Sequence, residues 1–181
     1  MLRPDHTVLV LVDVQERLLP VMDKKDALLK NLEVLVQGAL ALDIPIVWLE
    51  QYPKGLGTTV EPLKTLLADK GLSPIEKMTF SGVPHPEFQK VLAKYDHAHF
   101  LVAGIETHVC VYQTVRDLLN EDYDVEVVSD AVSSRVEANT ELGLNKMIQL
   151  GATLTSTEMC LFEMLESAEH PQFKTISKLI K

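Results

Sequence analysis

The stretch that decides the fold is Phe100-Leu101-Val102-Ala103-Gly104-Ile105-Glu106-Thr107-His108-Val109-Cys110-Val111-Tyr112. Its apolar beginning predicts a buried strand over about 99–104, which Gly104 interrupts, and a helical pattern follows over about 108–120. Cys110 is therefore predicted in the first turn of a helix, just past the carboxyl end of a strand. The free amides and the dipole at a helix start favour negative charge, so this position should lower the pKa of a thiol and stabilise an oxyanion.

Two interpretations of Cys110 remain open on this stretch alone. In the first, the thiol is a nucleophile, because strand-turn-helix junctions are used repeatedly in catalysis. In the second, it is a small buried apolar residue, which is the commoner role of a free cysteine. The rest of the chain has to decide between them.

The composition is typical of one globular domain. At 181 residues, 1–181 is predicted to be a single domain in which about 167–181 form a C-terminal tail helix. The net charge of −9 argues against nucleic-acid and membrane partners. Two cysteines, no signal peptide and no apolar run long enough to span a bilayer predict a reducing, cytoplasmic location.

Short apolar runs alternate with helical patterns along the whole chain. Helices are expected over 27–42, 61–70, 86–95, 108–120, 136–150 and 157–165, and strands over 7–12, 44–49, 73–77, 99–104, 123–128 and 152–155. The first strand is a continuous β-branched and leucine run, which is typical of a strand buried on both faces. This alternation predicts an α/β fold in which helices cover both faces of a parallel sheet.

Reactive side chains follow three of these strands. Asp13 follows the first strand, Lys77 ends the third and Cys110 lies beyond the fourth. Ligands of open α/β sheets bind at the carboxyl ends of the strands, so all three are expected on one rim. There Asp13 would take and return the proton of the thiol, while Lys77 orients the carboxylate. Taken singly, Asp13 is better interpreted as a helix cap or loop-stabilising residue and Lys77 as a surface lysine, but three such residues on one rim favour the catalytic interpretation.

Other polar residues near the rim receive structural interpretations or none. Asp130 is predicted to cap backbone amides, and Arg135 to pair with Asp130 rather than with a substrate carboxylate. His108 either touches substrate or points away from it, and the role of Glu50 is left open. Cys160 is interpreted as a buried helix residue.

Motifs for bound cofactors are missing where they would be expected. The first strand-helix turn lacks G-x-G-x-x-G, no P-loop occurs, and the histidines form no H-x-x-x-H pair. The sequence therefore predicts no cofactor.

Several segments resemble the isochorismatase-like cysteine hydrolases, the superfamily that includes nicotinamidases and N-carbamoylsarcosine amidohydrolase. The resemblance covers Thr7 to about Glu166, and it is carried by residues 11–15, Lys77 with Phe80, and residues 104–111, 130–135 and 156–159. It implies a three-layer α/β/α fold with a six-stranded parallel sheet in the order 3-2-1-4-5-6. It also implies a catalytic triad, a cis peptide before the cysteine helix at Ile105-Glu106, and an oxyanion site formed by the amides of Glu106 and Cys110. The triad would be Asp13, Lys77 and Cys110.

The chain departs from the nicotinamidase pattern after the second strand. Nicotinamidases carry an Asp-x-His metal motif there, whereas this chain has Glu50-Gln51-Tyr52-Pro53. This difference predicts no metal, and the segment is closer to the small isochorismatase-domain branch of the family. Isochorismatases can work without the cysteine, so the presence of Cys110 favours acyl transfer.

Three functions follow as hypotheses. The first is hydrolysis of a C–N bond in a small amide or ureide through a thioester, the second is vinyl-ether hydrolysis with Asp13 as the acid, and the third is ligand or partner binding with a redox-sensitive thiol. The expected partners are a small-molecule substrate and further copies of the chain in a homo-oligomer. Trp48 is either a pocket wall or core, and the residues expected to contact substrate are Gln51, Tyr52, Leu56, Phe80, Ile105, Thr107 and Tyr112.

Overall fold

A computed structural model describes residues 2–181 and contains a six-stranded, fully parallel sheet in the order β3-β2-β1-β4-β5-β6. The predicted fold class and strand order are thereby confirmed. The strands are β1 (Thr7–Val12), β2 (Ile46–Gln51), β3 (Ile75–Lys77), β4 (His99–Ile105), β5 (Asp124–Ser133) and β6 (Thr153–Thr155). The helices are α1 (Lys25–Ala41), α2 (Pro53–Leu56), α3 (Leu63–Ala68), α4 (Pro86–Lys94), α5 (Tyr112–Asn120), α6 (Glu137–Leu150), α7 (Thr157–Leu165) and α8 (Phe173–Ile180).

The sheet is covered on both faces because alternate residues of its central strands point in opposite directions. Leu9 and Leu11 of β1 pack with α1, α7 and α8 in one core. Val8, Val10 and Val12 pack with α4 and α5 in the other core. The prediction that the continuous apolar run of β1 is a strand buried on both faces is therefore confirmed.

Several element boundaries differ from the sequence prediction, and the differences at β2 and β5 have a clear physical cause. β2 begins at Ile46, after Pro45, because proline has no backbone N–H to donate to a neighbouring strand. The carbonyl of Pro45 still accepts from the amide of Leu9. β5 extends to Ser133 instead of ending at Val128, because it pairs with β4 again after a register shift. The predicted loop after Val128 is therefore partly strand.

Gly104 allows the carboxyl ends of β1 and β4 to approach closely. Its φ is +120°, and a Cβ built at this position would lie 2.1 Å from the carbonyl oxygen of Val12. Only glycine fits such a backbone contact at positive φ. The consequence is that Asp13, directly after Val12, lies beside the segment that carries Cys110.

The C-terminal helix α8 packs against α1, with Ile176 fully buried in the core shared by α1 and α7. Across residues 2–181, none of the helices has both the length and the apolar character that a membrane span requires.

Candidate active site

Lys77 is fully buried at the end of β3, although lysine is normally a surface residue. Its Nζ donates to Asp13 Oδ2 at 2.7 Å, to Gln51 Oε1 at 2.8 Å and to the Phe80 carbonyl at 2.9 Å. These acceptors saturate the ammonium group, which can donate three hydrogen bonds. The interpretation of Lys77 as a surface lysine is therefore wrong.

Asp13 is the anionic partner of Lys77 and is itself fully buried. Its backbone is in the left-handed region at φ +52°, where the chain turns away from β1. Burial raises the pKa of Asp13, the ammonium of Lys77 opposes that rise, and Glu50 adds to it. Oδ2 is held by Lys77, whereas Oδ1 makes no hydrogen bond of good geometry and is free to take a proton.

Cys110 lies next to Asp13, and its residue is only 7% exposed. The thiol is close enough to Asp13 for each group to shift the pKa of the other. Burial is the main cause that raises the pKa of the Cys110 thiol, and Asp13 raises it further. The prediction of a lowered thiol pKa is therefore wrong for the resting protein, because desolvation and the nearby Asp13 carboxylate outweigh the opposing charge of Lys77.

The predicted helix around Cys110 is divided into two parts. Thr107–Val111 form a π-helical turn, and α5 begins only at Tyr112. The carbonyl of Glu106 accepts from the amides of Val109 and Val111, at 3.0 and 3.2 Å, and passes over the amide of Cys110. The peptide bond between Ile105 and Glu106 is cis, as the resemblance implied.

Gln51 supports Lys77 rather than facing an open pocket. Its Oε1 accepts from Lys77, and its Nε2 donates to the Met78 carbonyl at 2.9 Å. Its backbone is held on both sides by Gln15, which accepts from the Gln51 amide at 2.7 Å and donates to its carbonyl at 2.9 Å. The prediction that the Gln51 side chain contacts substrate is therefore replaced by a supporting position.

Glu50 belongs to a second buried network behind Asp13. Its Oε1 accepts from the amide and the hydroxyl of Thr59, at 2.6 and 2.8 Å. The indole of Trp48 donates to the same hydroxyl at 2.6 Å, so Trp48 is a core residue rather than a pocket wall. This network fixes the chain after α2 to β2.

The predicted pairing of Asp130 with Arg135 is wrong. Asp130 Oδ1 instead accepts from the amide and hydroxyl of Thr157 at the start of α7, at 2.8 and 2.9 Å. Arg135 Nε donates to Glu106 Oε2 at 3.1 Å. The extension of β5 separates Asp130 from Arg135, and it brings Arg135 to the segment that carries Cys110.

The remaining residues predicted to contact substrate fall into two groups. Ile105 is fully buried in the core and Thr107 is fully buried against Gly143, so the predicted contacts of these two side chains are corrected. The other four lie at the surface or partly at it, namely Tyr52 and Phe80, which are 47% and 52% exposed, and the half-buried Leu56 and Tyr112. Tyr52 and Lys77 line a cavity of about 220 Å³ together with Met78.

The isochorismatase domain matches residues 7–159, which is most of the chain. The chain belongs to the isochorismatase family. It is thus an isochorismatase-family hydrolase, as the resemblance implied.

Relatives of this isochorismatase-family chain are similar over nearly its full length. A secreted isochorismatase effector, Isc1, from Phytophthora sojae is 40% identical, and the match covers 98% of this chain and 86% of the relative. Isochorismatase domain-containing protein 2A from Mus musculus is 37% identical over 98% of this chain and 84% of its own length. A solved structure of MAR1 ribonuclease from Caenorhabditis elegans has a TM-score of 0.92 at 37% identity, covering 99% of this chain and 91% of that one.

Sequence reasoning missed three residues that build the site of this isochorismatase-family chain. Gln15 holds both sides of the Gln51 backbone, Thr59 connects Trp48 to Glu50, and Ser134 lies 2.8 Å from His108 Nδ1 through its Oγ. The only available signal was the position of Gln15 two residues after Asp13. Thr59 and Ser134 lie in segments whose partners are distant along the chain, so no local pattern identifies them.

Proposed function

We propose that this protein is a cysteine hydrolase that cleaves a C–N bond of a small amide or ureide through a thioester intermediate. The observation that carries the proposal is the convergence of Cys110 with the buried Asp13–Lys77 pair at the carboxyl edge of the sheet. A buried lysine and a buried aspartate are costly to retain unless they are paired, and perturbed buried groups cluster at functional sites.

The reaction is proposed to begin with proton transfer. Asp13 Oδ1 takes the thiol proton while the sulfur of Cys110 attacks the carbonyl carbon. The carbonyl oxygen becomes an oxyanion, which the amides of Glu106 and Cys110 are placed to receive. The Glu106 carbonyl accepts from the amides of Val109 and Val111 and not from that of Cys110, which supports this role for the Cys110 amide.

The proton then goes to the leaving nitrogen. Asp13 returns it as the C–N bond breaks, which releases the amine and leaves the acyl group as a thioester on Cys110. Water next attacks the thioester with Asp13 again as the base, and the acid and the free thiol are released. Lys77 keeps Oδ2 occupied throughout, so that Oδ1 is the oxygen that exchanges the proton.

The test is a Cys110→Ala variant assayed against a panel of amides and ureides, with Cys160→Ala as the matched control. Both cysteines are buried and have raised pKa values, but Cys160 lies in α7, and neither Asp13 nor Lys77 is among the groups that shift its pKa. Loss of turnover in Cys110→Ala alone, and an acyl adduct on Cys110 in the intact mass, are expected. Full turnover in Cys110→Ala would contradict the thioester mechanism.

Two alternatives predict different results in the same experiment. Vinyl-ether hydrolysis, with Asp13 as a buried acid of raised pKa, predicts activity that survives the loss of the thiol. A ligand-binding protein with a redox-sensitive thiol predicts saturable binding without turnover across the panel. The presence of a thiol next to Asp13 favours acyl transfer over both.

Ribonuclease activity is a further candidate because of the name of the C. elegans structure. The net charge of −9 disfavours binding of a polyanion, and we propose that neither nucleic acid nor a membrane is the partner. The test is cleavage of a labelled RNA by the wild type and Cys110→Ala. RNA turnover that depends on Cys110 would overturn the assignment of a small substrate.

We also propose a homo-oligomer built from the β6 edge of the domain. Large apolar side chains are exposed on three consecutive elements at this edge, including Leu142 and Leu150 of α6, Leu154 of β6 and Met159 of α7. Exposed apolar side chains gathered at one edge are typical of association surfaces. Light scattering of the wild type and of a Leu142→Lys/Met159→Lys variant tests this proposal, which predicts dissociation of the variant.

The remaining proposals concern domain extent and location. We propose that 1–181 act as one domain, supported by the packing of α8 on α1, and that limited proteolysis will not release 167–181. We propose a cytoplasmic location because both cysteines are unpaired. Imaging of a tagged chain tests this location, and finding the tagged protein outside the cell would contradict it.

A further inference from the structure

The charges around Cys110 are unequally distributed. The carboxylates of Asp13 and Glu106 both act on the thiol electrostatically, and Glu50 acts on Asp13 from behind. The ammonium of Lys77 opposes them, but it is fully buried and its hydrogen bonds are already given to Asp13, Gln51 and Phe80. Lys77 therefore has no donor left for an incoming anion.

Glu106 is the most exposed carboxylate among these three. Its side chain is 15% exposed, whereas that of Asp13 is fully buried. Its one ion-pair partner among residues 2–181 is Arg135, which is bound through a single Nε contact at 3.1 Å and is 61% exposed. An ion pair with so exposed an arginine is screened by water and salt, so Arg135 neutralises Glu106 only in part.

We propose that Glu106, with Asp13 and Glu50 behind it, makes the site selective for uncharged acyl compounds and disfavours substrates that carry a carboxylate or phosphate near the scissile bond. This inference rests on the proposed role of Cys110 as the nucleophile. A neutral amide leaves the carboxylates undisturbed, whereas an anion has to approach Glu106 without a free cation to receive it. Like charges brought together in a poorly hydrated site repel strongly.

Alkylation of Cys110 by iodoacetamide and iodoacetate tests the inference without a known substrate. The two reagents have similar shapes and transfer similar groups to sulfur with release of iodide, but only iodoacetate is charged. We expect the rate ratio of iodoacetamide to iodoacetate at Cys110 to exceed that for 2-mercaptoethanol by at least about tenfold. Peptide mapping separates Cys110 from the fully buried Cys160.

Variants of the ion pair give the direction of the effect. Glu106→Gln should lower the iodoacetamide-to-iodoacetate rate ratio at Cys110 about threefold or more, because it removes the charge that repels iodoacetate. Arg135→Gln should raise that ratio, because it removes the cation that partly neutralises Glu106. The exposed Arg3–Asp5 pair before β1 provides matched controls, and Arg3→Gln and Asp5→Asn should leave the ratio unchanged. Raising the ionic strength should also lower the iodoacetamide-to-iodoacetate rate ratio at Cys110, because salt screens the repulsion.

The outcomes separate this inference from the proposed function. A ratio at Cys110 equal to that of 2-mercaptoethanol, or one that Glu106→Gln and Asp5→Asn change equally, would overturn the charge selection and leave the nucleophile in place. Resistance of Cys110 to both reagents would overturn the nucleophile, and the charge selection with it.

Discussion

Lys77 Nζ lies 2.7 Å from Asp13 Oδ2, and both side chains are completely buried. The two residues are 64 positions apart, at the carboxyl ends of β3 and β1. Neither charge would be stable at this depth without the other, because desolvation of an unpaired ion costs several kcal/mol. The pair is therefore both a structural element of the sheet edge and the support of the proposed proton carrier.

Removal of the cation alone should destabilise the protein strongly. In Lys77→Met the buried Asp13 carboxylate loses its counter-ion, and we expect the free energy of unfolding to fall by about 3–5 kcal/mol in urea titrations. Lys90→Met is the matched control, because Lys90 pairs with Glu87 at the same 2.7 Å distance but is 72% exposed. Its effect should be much smaller.

A double variant completes this test. Asp13→Asn/Lys77→Met removes both buried charges, so it should be less destabilised than the sum of the two single variants. Additive losses would mean that the two residues do not stabilise each other.

Loss of the Asp13 carboxylate should make the Cys110 thiol easier to ionise and yet reduce turnover. In Asp13→Asn the pKa of Cys110 should fall, because the charge of Asp13 raises it while the charge of Lys77 lowers it. Turnover should nevertheless fall about 10²- to 10⁴-fold, because no group returns the proton to the leaving nitrogen. The pH profile of iodoacetamide labelling measures the first effect, and steady-state kinetics measures the second.

The wild-type pH profile has a defined sign under this mechanism. Burial raises the pKa of Asp13 above the ordinary aspartate value of 3.8. Turnover should therefore rise with pH through that raised pKa, because only the ionised carboxylate accepts the thiol proton. Activity in Asp13→Asn equal to that of the wild type would show that another group carries the proton.

The buried hydroxyl of Thr59 should contribute to the free energy of unfolding through its hydrogen bonds to Trp48 and Glu50. Thr59→Val has nearly the same volume but removes the acceptor of Trp48 and a donor to Glu50, leaving both buried groups without this partner. We expect the free energy of unfolding to fall by about 1–3 kcal/mol. Thr65→Val, which removes an exposed hydroxyl bound to Glu61, is the control and should have a smaller effect.

Gly143 of α6 should position the turn that carries Cys110. A Cβ at this residue would lie 3.1 Å from the carbonyl carbon, the carbonyl oxygen and Cγ2 of Thr107. Gly143→Ala gains about 1 kcal/mol of helix propensity and loses a similar amount by overpacking, so stability should change little. The shifted turn should lower kcat several-fold, because displacement of a nucleophile by a fraction of an ångström is costly.

Two further variants identify the cause in the Gly143 experiment. Asn145→Ala in the same helix is exposed and should leave kcat unchanged. Gly143→Ala/Thr107→Ser removes one of the three contacts and should recover part of the lost activity. A kcat for Gly143→Ala equal to that of the wild type would show that the turn tolerates the added methyl group.

Strong local patterns allowed much of the architecture to be predicted from sequence. The uninterrupted run of β1 predicted burial on both faces, and the alternation of apolar runs with helical patterns predicted a covered parallel sheet. Asp13, Lys77 and Cys110 were expected on one rim because strands of a parallel sheet end at the same edge. The strand order required the family resemblance, since alternation alone does not give it.

The errors arose where distant segments control a local property. Arg135 was paired with the wrong acid because the extra length of β5 depends on its second pairing with β4. The thiol pKa was predicted in the wrong direction because the helix-start argument is local, whereas burial of Cys110 depends on everything packed around it.

The sequence by itself determined which residues are apolar, where the chain turns, and that an acid, a lysine and a thiol follow three strands of one sheet. Only the tertiary structure decided that the lysine is buried and fully bonded, that Gln51 serves Lys77, and that Glu106 pairs with Arg135. The physical reason is that hydrogen bonding and desolvation depend on the positions of atoms from distant parts of the chain, which residue spacing does not record.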